Sequence, residues 1–423
     1  MLKAMKVLIA ASGSRGDFQP LLALALALRT RGHEPLFAAT PNFAAEAESF
    51  GIPFVGVGQD VQVMLREYSA ELESRNPFAL FGSMTGVMRE SLNLQLDGYL
   101  PLLQGMDLMV AGGAVLSART AAESVGLPFR YVAYTPQILP SDWHMPALVP
   151  LTGTPRWFNR LTWSWMKWFS DKTLLETLNT RRRQLGLADC TSSMDHIFSV
   201  EHALVAADPE LYPVPPDVSG VPQVGSFCLA DERPLPEALE RFLAEGEMPV
   251  YIGFGSMQDT RPERTTRFIA EAVRRAGCRA VLSSGWAGLG AEGLGKDLLV
   301  VGDVSHWRLF PRVSAVVHHG GAGTTAAAAR AGVPQVVVPH ILDQFLMAKR
   351  VRDAKLGVSF SRHQLTAERL HQALVRLRGD ASLRENAARV GERIRQRDAL
   401  GDTVRILEEG PRRPMAGKVG LVG

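Results

Sequence analysis

A chain of 423 residues, 46% hydrophobic and 21% charged, carries enough apolar material for two α/β domains and too much for a disordered polymer. A net charge of +3 is too small to argue for a nucleic-acid partner. The three cysteines (Cys190, Cys228, Cys278) lack C-x-x-C spacing, which suits a reducing cytoplasm and gives no metal site.

Met5 to Ala11 reads as a buried first strand rather than a signal peptide, because the apolar run stops at Ser12-Gly13-Ser14-Arg15, far short of the roughly 18 residues of a membrane span. Ser12 to Asp17 reads as a polar glycine loop, and Pro20 to Thr30 as a Leu/Ala helix with proline near its first turn and Gly32 at its end. Strands are expected at Glu34 to Ala39, Leu108 to Ala111 and Phe129 to Ala133, and a proline-rich connection runs through Tyr212-Pro213-Val214-Pro215-Pro216 and Val221-Pro222-Gln223. The order then recurs. Val250 to Phe254 is a strand, Gly255-Ser256-Met257 a small-residue loop and Pro262 to Ala276 a helix closed by Gly277. Strands follow at Ala280 to Ser283, Leu298 to Val301, Ala315 to His318 and Gln335 to Val338. Such alternation predicts parallel sheets flanked by helices. The expected division is a first domain over 1–222, a second over 223–390, a helix over 391–410 returning to the first domain, and a disordered tail over 411–423.

The most informative segment is the turn His319-Gly320-Gly321-Ala322-Gly323-Thr324-Thr325, placed between a β-branched run and an alanine-rich helix ending at Gly332. Glycines let backbone amides approach an anion, and the helix aims its unpaired N–H groups and positive dipole end at the same place. This is a diphosphate cradle, to which Thr324 and Thr325 add hydroxyls and His319 an imidazole. Beyond the next strand and Pro339 come Asp343 and Gln344, polar groups past a strand's C-terminal end. Gly321 to Ala326 also fits the dinucleotide fingerprint, with Asp343 following, but Asp343 lies four residues past Pro339 rather than at a strand tip, and that fingerprint has no use for His319. A second match, Gly288 to Gly293, leads into a strand and is discounted. The remaining reading is a plain tight turn.

Leu309-Phe310-Pro311 through Arg350-Val351, with its HHGGAGTT core, resembles the donor-sugar signature of inverting nucleotide-sugar glycosyltransferases of the GT-B fold, above all the bacterial antibiotic, rhamnolipid and sterol glycosyltransferases. Ala10 to Pro20 is similar to the opening motif of the same group. The resemblance implies two Rossmann-like domains facing across a cleft, a UDP- or TDP-sugar co-substrate, and hexosyl transfer with inversion to a hydroxyl. It assigns Asp17 as general base, with helix capping as the bland alternative, and His319 to the leaving group. Ser14, Arg15, Ser256, Val304, Trp307, Gly321, Ala322, Gly323, Thr324, Thr325, Asp343 and Gln344 join the nucleotide-sugar site. His318, one residue along the strand end, would then face the protein. Many relatives use a histidine base ordered by an aspartate after the fourth strand; this chain has Ala111-Gly112-Gly113 there and no histidine before Pro20. No Asp-x-Asp occurs, so no carboxylate-held metal is suggested.

Five of the seven tryptophans (Trp143, Trp157, Trp163, Trp165, Trp168) fall within 26 positions, which fits core packing, an acceptor pocket or a lipid-facing surface backed by Arg156, Arg160 and Lys167. Val63 to Leu100, with Met64, Tyr68, Phe78, Phe81 and Met84, is the other expected acceptor wall. The composition points to a lipophilic hydroxylated acceptor: a polyketide or macrolide, a sterol or triterpene, or a hydroxy lipid. A nucleotide-sugar epimerase of the same architecture and a non-catalytic lipid-binding relative stay open as alternatives.

Overall fold

In the computed structural model the described residues are 3–59, 77–149, 151–255, 257, 261–285, 289–290 and 295–410, with backbone only for 77–84. The first sheet contains β1 (Lys6–Ser12), β2 (Glu34–Ala39), β3 (Phe54–Gly56), β4 (Leu108–Gly113), β5 (Phe129–Ala133) and β6 (Ala203–Val205), all parallel, in the order β3-β2-β1-β4-β5-β6. The second contains β7 (Val250–Gly253), β8 (Ala280–Ser283), β9 (Leu298–Val301), β10 (Ala315–His318), β11 (Gln335–Val337) and β12 (Gly357–Ser359), also parallel, in the order β12-β11-β10-β7-β8-β9. Counted from its own first strand, the second sheet repeats the first. Helices cover both faces, so the central strands read as continuous apolar runs: Val7, Leu8, Ile9 and Ala10 are all fully buried. In each sheet the strand order reverses once, between β1 and β4 and between β7 and β10. Polar groups beyond those strand ends stand at the place where open α/β sheets take ligands.

Three features differ from the sequence reading. The first helix starts at Arg15, not Pro20, because Ser14 caps it: its Oγ accepts from Gly16 N–H at 3.2 Å, and Asp17 Oδ2 reaches back to accept from Ser14 N–H at 2.8 Å. Asp17 thus sits in the first helical turn instead of a loop. The three-residue strands β3, β6 and β12 were not expected; each is a sheet edge, too short to show a period. The single helix expected over 391–410 is instead the end of one helix, Ala381–Arg395, and a second, Ala399–Glu408, parted where Asp398 caps the second through Gly401 N–H at 3.0 Å. Val404 and Leu407 of that last helix pack with Leu21, Leu24 and Leu28 of the helix Arg15–Thr30, so the chain returns to the first sheet. Residues 411–423, expected as a tail, lie outside the described residues. Among the described residues no helix is long and apolar enough to cross a membrane.

Candidate functional site

The loops after β1 and β10 open on one cleft of about 1340 Å³ between the sheets. On the first wall, Asp17 packs its side chain against the end of β4. A Cβ at Gly113 would lie 2.9 Å from Asp17 Cβ and 3.0 Å from Oδ1, so a glycine at this strand end makes room for the carboxylate; its φ of +77° is a second reason for glycine. Oδ2 is tied to Ser14 through its N–H and its Oγ, at 2.8 and 3.1 Å, while no hydrogen bond among the described residues engages Oδ1. Burial pushes the Asp17 carboxyl up to about 6, against the two hydrogen bonds from Ser14, which favour the charged form. Tyr134 donates to the Asp17 backbone carbonyl at 2.6 Å and holds the turn from β5.

On the second wall the two adjacent histidines part company. His318, fully buried, accepts from Gly320 N–H through Nδ1 at 3.1 Å, which leaves Nε2 to donate to Gln335 Oε1 at 2.8 Å. It is a neutral strut under the turn. His319 lines the cleft, wedged between glycines: a Cβ at Gly255 would come within 2.9 Å of its Cε1 and one at Gly321 within 2.6 Å of its Nε2. Its Nδ1 is buried with no hydrogen-bond partner among the described residues. Burial first, then the neighbouring His318, His340 and His306, pull its pKa down to about 3, which favours the neutral ring near pH 7. Next to it the helix Ala322–Ala331 begins with Gly321 at its N-cap and no side-chain cap, leaving its first N–H groups directed at the cleft.

Asp343 closes the far side. It occupies the N-cap position of the helix Gln344–Asp353, yet its φ and ψ are helical and its carboxylate makes no capping bond. Burial raises its pKa to about 6, and the charge of Asp17 across the cleft adds to the rise.

Several expected ligand groups are occupied otherwise. Thr325 is buried and donates its hydroxyl to the Gly321 carbonyl at 2.9 Å, one helical turn back, so it is not offered to the cleft; Thr324, Ala322 and Gly323 do line it. Gln344 is buried and spends its Oε1 on the amides of His340 and Ile341, at 2.8 and 3.0 Å, which folds the loop after β11; its Nε2 points to Met257 Sδ at 3.5 Å. Ser14 is the helix cap already described. Arg15 reaches across the cleft to Asp303, with Nη2 2.8 Å from Oδ2, and also pairs with Glu46 at 3.1 Å. Val304, though mostly buried, and Trp307 both line the cleft, Trp307 donating to Glu232 Oε1 at 3.2 Å with the Arg330 guanidinium 4.9 Å from its ring. Ser256 and the expected acceptor side chains from Val63 to Met84 lie outside the described residues. Asp303 and Arg233 were missed. Asp303 had a signal, an acid one residue past a glycine at the end of β9, but Arg233 comes from the connection between the sheets, where no period points inward.

Of the tryptophan set, Trp163 is core, with Nε1 donating to the His144 carbonyl at 2.8 Å, while Trp143, Trp157, Trp165 and Trp168 are exposed and none lines the cleft.

Residues 7–137 match the Glycosyltransferase family 28 N-terminal domain, and residues 290–409 the Erythromycin biosynthesis protein CIII-like, C-terminal domain. Glycosyltransferase GtfC of Amycolatopsis orientalis is 38% identical over 363 residues, covering 84% of this chain and 86% of its own. Sterol 3-beta-glucosyltransferase UGT80B1 of Arabidopsis thaliana is 31% identical over 372 residues, covering 84% of this chain and 59% of its own. The crystal structure of glycosyltransferase VinC in complex with dTDP superposes with a TM-score of 0.67 at 22% identity, over 96% of this chain and 100% of that one.

Proposed function

The chain belongs to the GT-B glycosyltransferases that include these antibiotic and sterol enzymes, and from that membership we propose that it moves a hexosyl group from a UDP- or TDP-sugar to a hydroxyl of a lipophilic small molecule with inversion. The observation that carries the reading is the pairing of Asp17 and His319 on opposite walls of one cleft, each beside the end of the strand that reverses its sheet's order. Asp17 takes the proton of the acceptor hydroxyl as that oxygen attacks the anomeric carbon. The bond from that carbon to the diphosphate oxygen breaks on the opposite face, and its electron pair leaves with the diphosphate. An ordinary carboxylate is a weak base for an alcohol. A pKa near 6 improves the match while leaving the group ionised at neutral pH.

The leaving charge is met by the amides at the start of the helix Ala322–Ala331, by Thr324 and by His319. Neutral imidazole suits this, since it donates one N–H without the cost of a buried cation. Asp343 is placed to accept from sugar hydroxyls. This arrangement needs no carboxylate-held cation, and transfer is expected to proceed equally with and without EDTA; a strict divalent-metal requirement defeats that part of the reading. The epimerase and binding-protein alternatives are carried no further, because the relatives named above are transferases.

Incubating the protein with a panel of UDP- and TDP-sugars and hydroxylated lipophilic acceptors, with mass spectrometry of the products, tests the whole reading. A hexose-sized or deoxyhexose-sized gain on an acceptor is expected. An altered sugar nucleotide with no acceptor product overturns it.

A further inference from the structure

The helix Arg156–Ser170 presents an apolar stripe to solvent. Trp157, Leu161, Trp165 and Trp168 recur at intervals of four, four and three, one face of a helix, and are 66%, 57%, 50% and 55% exposed. Trp143 flanks them at 47% exposure, with the Arg156 guanidinium 3.9 Å from its ring centroid. The opposite face is firmly held, since Asn159, Trp163 and Phe169 are buried and Trp163 is hydrogen-bonded to the His144 carbonyl. The stripe is therefore a fixed feature and not a frayed segment. Among the described residues, seven of the fifteen exposed large hydrophobics lie between Trp143 and Trp168, so the apolar surface is concentrated here.

Charge and residue type select the occupant. The helix contains three basic residues and no acidic one. Arg160 and Lys167 pair with Asp142 and Asp195 from neighbouring segments, but their side chains are 70% and 48% exposed, so the cationic heads remain at the border of the stripe. Tryptophan, with an apolar ring and one N–H donor, favours the boundary between water and hydrocarbon, and basic residues beside it favour anionic headgroups. A helix of 15 residues carrying Arg156, Arg160 and Lys167 is too short and too charged to span a bilayer, but it has the form of one that lies in its surface. We propose that this helix docks the protein on an anionic phospholipid surface, with Trp157, Trp165 and Trp168 as the inserted side chains. The proposal does not rest on the transfer reading.

The test uses the full chain and two sets of vesicles, phosphatidylcholine alone and phosphatidylcholine with phosphatidylglycerol at about 7:3. Co-sedimentation with the anionic vesicles is expected, weakened by salt, with a blue shift of tryptophan emission. The triple variant Trp157→Ser, Trp165→Ser, Trp168→Ser should bind them about tenfold or more weakly, while Val375→Ser, an exposed apolar residue on the second domain, should bind as the parent does. Should the triple variant not fold, the charge reversal Arg156→Glu with Lys167→Glu carries the same expectation of lost binding to anionic vesicles. Absence of vesicle binding by the parent, equal binding by the variants, or a concentration-dependent dimer abolished by the triple variant (the stripe then covering a second copy) would each overturn the proposal.

Discussion

At the C-terminal edge of the first sheet a carboxylate is pressed against glycine; at the same place in the second sheet an imidazole is. Asp17 stands beside Gly113 at the β1/β4 reversal and His319 beside Gly255 at the β7/β10 reversal. Burial disfavours the charged form of both, and because one is an acid and the other a base the consequences are opposite: Asp17 rises to about 6 and His319 falls to about 3. One wall thus gains a stronger base and the other a neutral hydrogen-bonding ring. Two copies of one topology thus shift an acid and a base in opposite directions from a single physical cause.

The comparison breaks most sharply at Asp17. Asp17→Asn keeps the shape and the bonds from Ser14 but cannot take a proton, so turnover is expected to fall about 10²- to 10⁴-fold with nucleoside diphosphate affinity nearly unchanged. Full activity in that variant ends the base assignment. On the other wall, His319→Ala is expected to lower turnover by about 10²-fold and to weaken nucleoside diphosphate binding as well, since it removes a contact to the leaving group. Titration calorimetry with the free nucleotide distinguishes the two walls: only the second variant should bind it less well.

The pattern of strand and helix was legible because the central strands are long apolar runs closed by glycine or proline, and the order of the two motifs carried the fold. What failed was local. The edge strands β3, β6 and β12 have three residues each, too few to display a period. The cap at Ser14 was hidden because its partner Asp17 had been read as a loop residue. Thr325 and Gln344 belong to the stretch that resembles the donor-sugar signature, and Gln344 does line the cleft. Their side chains turn back on Gly321 and on the loop after Pro339, as buried polar groups must when no other partner is near. His319 and Asp343, which the sequence singled out, line the cleft, while the ion pair that Arg15 makes with Asp303 joins positions 288 residues apart that no local pattern connects.

A smaller effect is expected at Asp343. Because its carboxylate makes no capping bond, Asp343→Ala should not lower the melting temperature while weakening use of the preferred sugar donor about tenfold relative to bare nucleotide. Equal weakening of both ligands, or a lowered melting temperature with donor preference intact, would return Asp343 to a structural role.

The smallest expected effect lies in the pH dependence of stability, where the two walls should pull in opposite directions. Asp17 has a folded-state pKa of about 6, above its ordinary value of 3.8, so between those values the folded protein keeps a proton that the unfolded chain has lost. Its contribution is therefore greatest at low pH, declines as pH rises from about 4 to about 6, and is flat above. His319, lowered to about 3 from an ordinary 6.5, behaves inversely: within that window the unfolded chain holds the extra proton, and stability rises with pH. A melting curve of the parent protein mixes both, together with Asp343. The difference between the parent and Asp17→Asn cancels the groups the two share apart from Asp343, which in the variant loses the upward push of the Asp17 charge and so adds to the same trend, and any change in the strength of the Ser14 bonds adds only a constant. That difference in melting temperature should shift against the parent by up to a few degrees between pH 4 and 6.5, and the corresponding difference for His319→Ala should shift in the parent's favour over the same range. A difference curve for Asp17→Asn that is flat, or that rises with pH, would mean the carboxylate is not raised by burial, and the account of why this wall holds a usable base would fail with it.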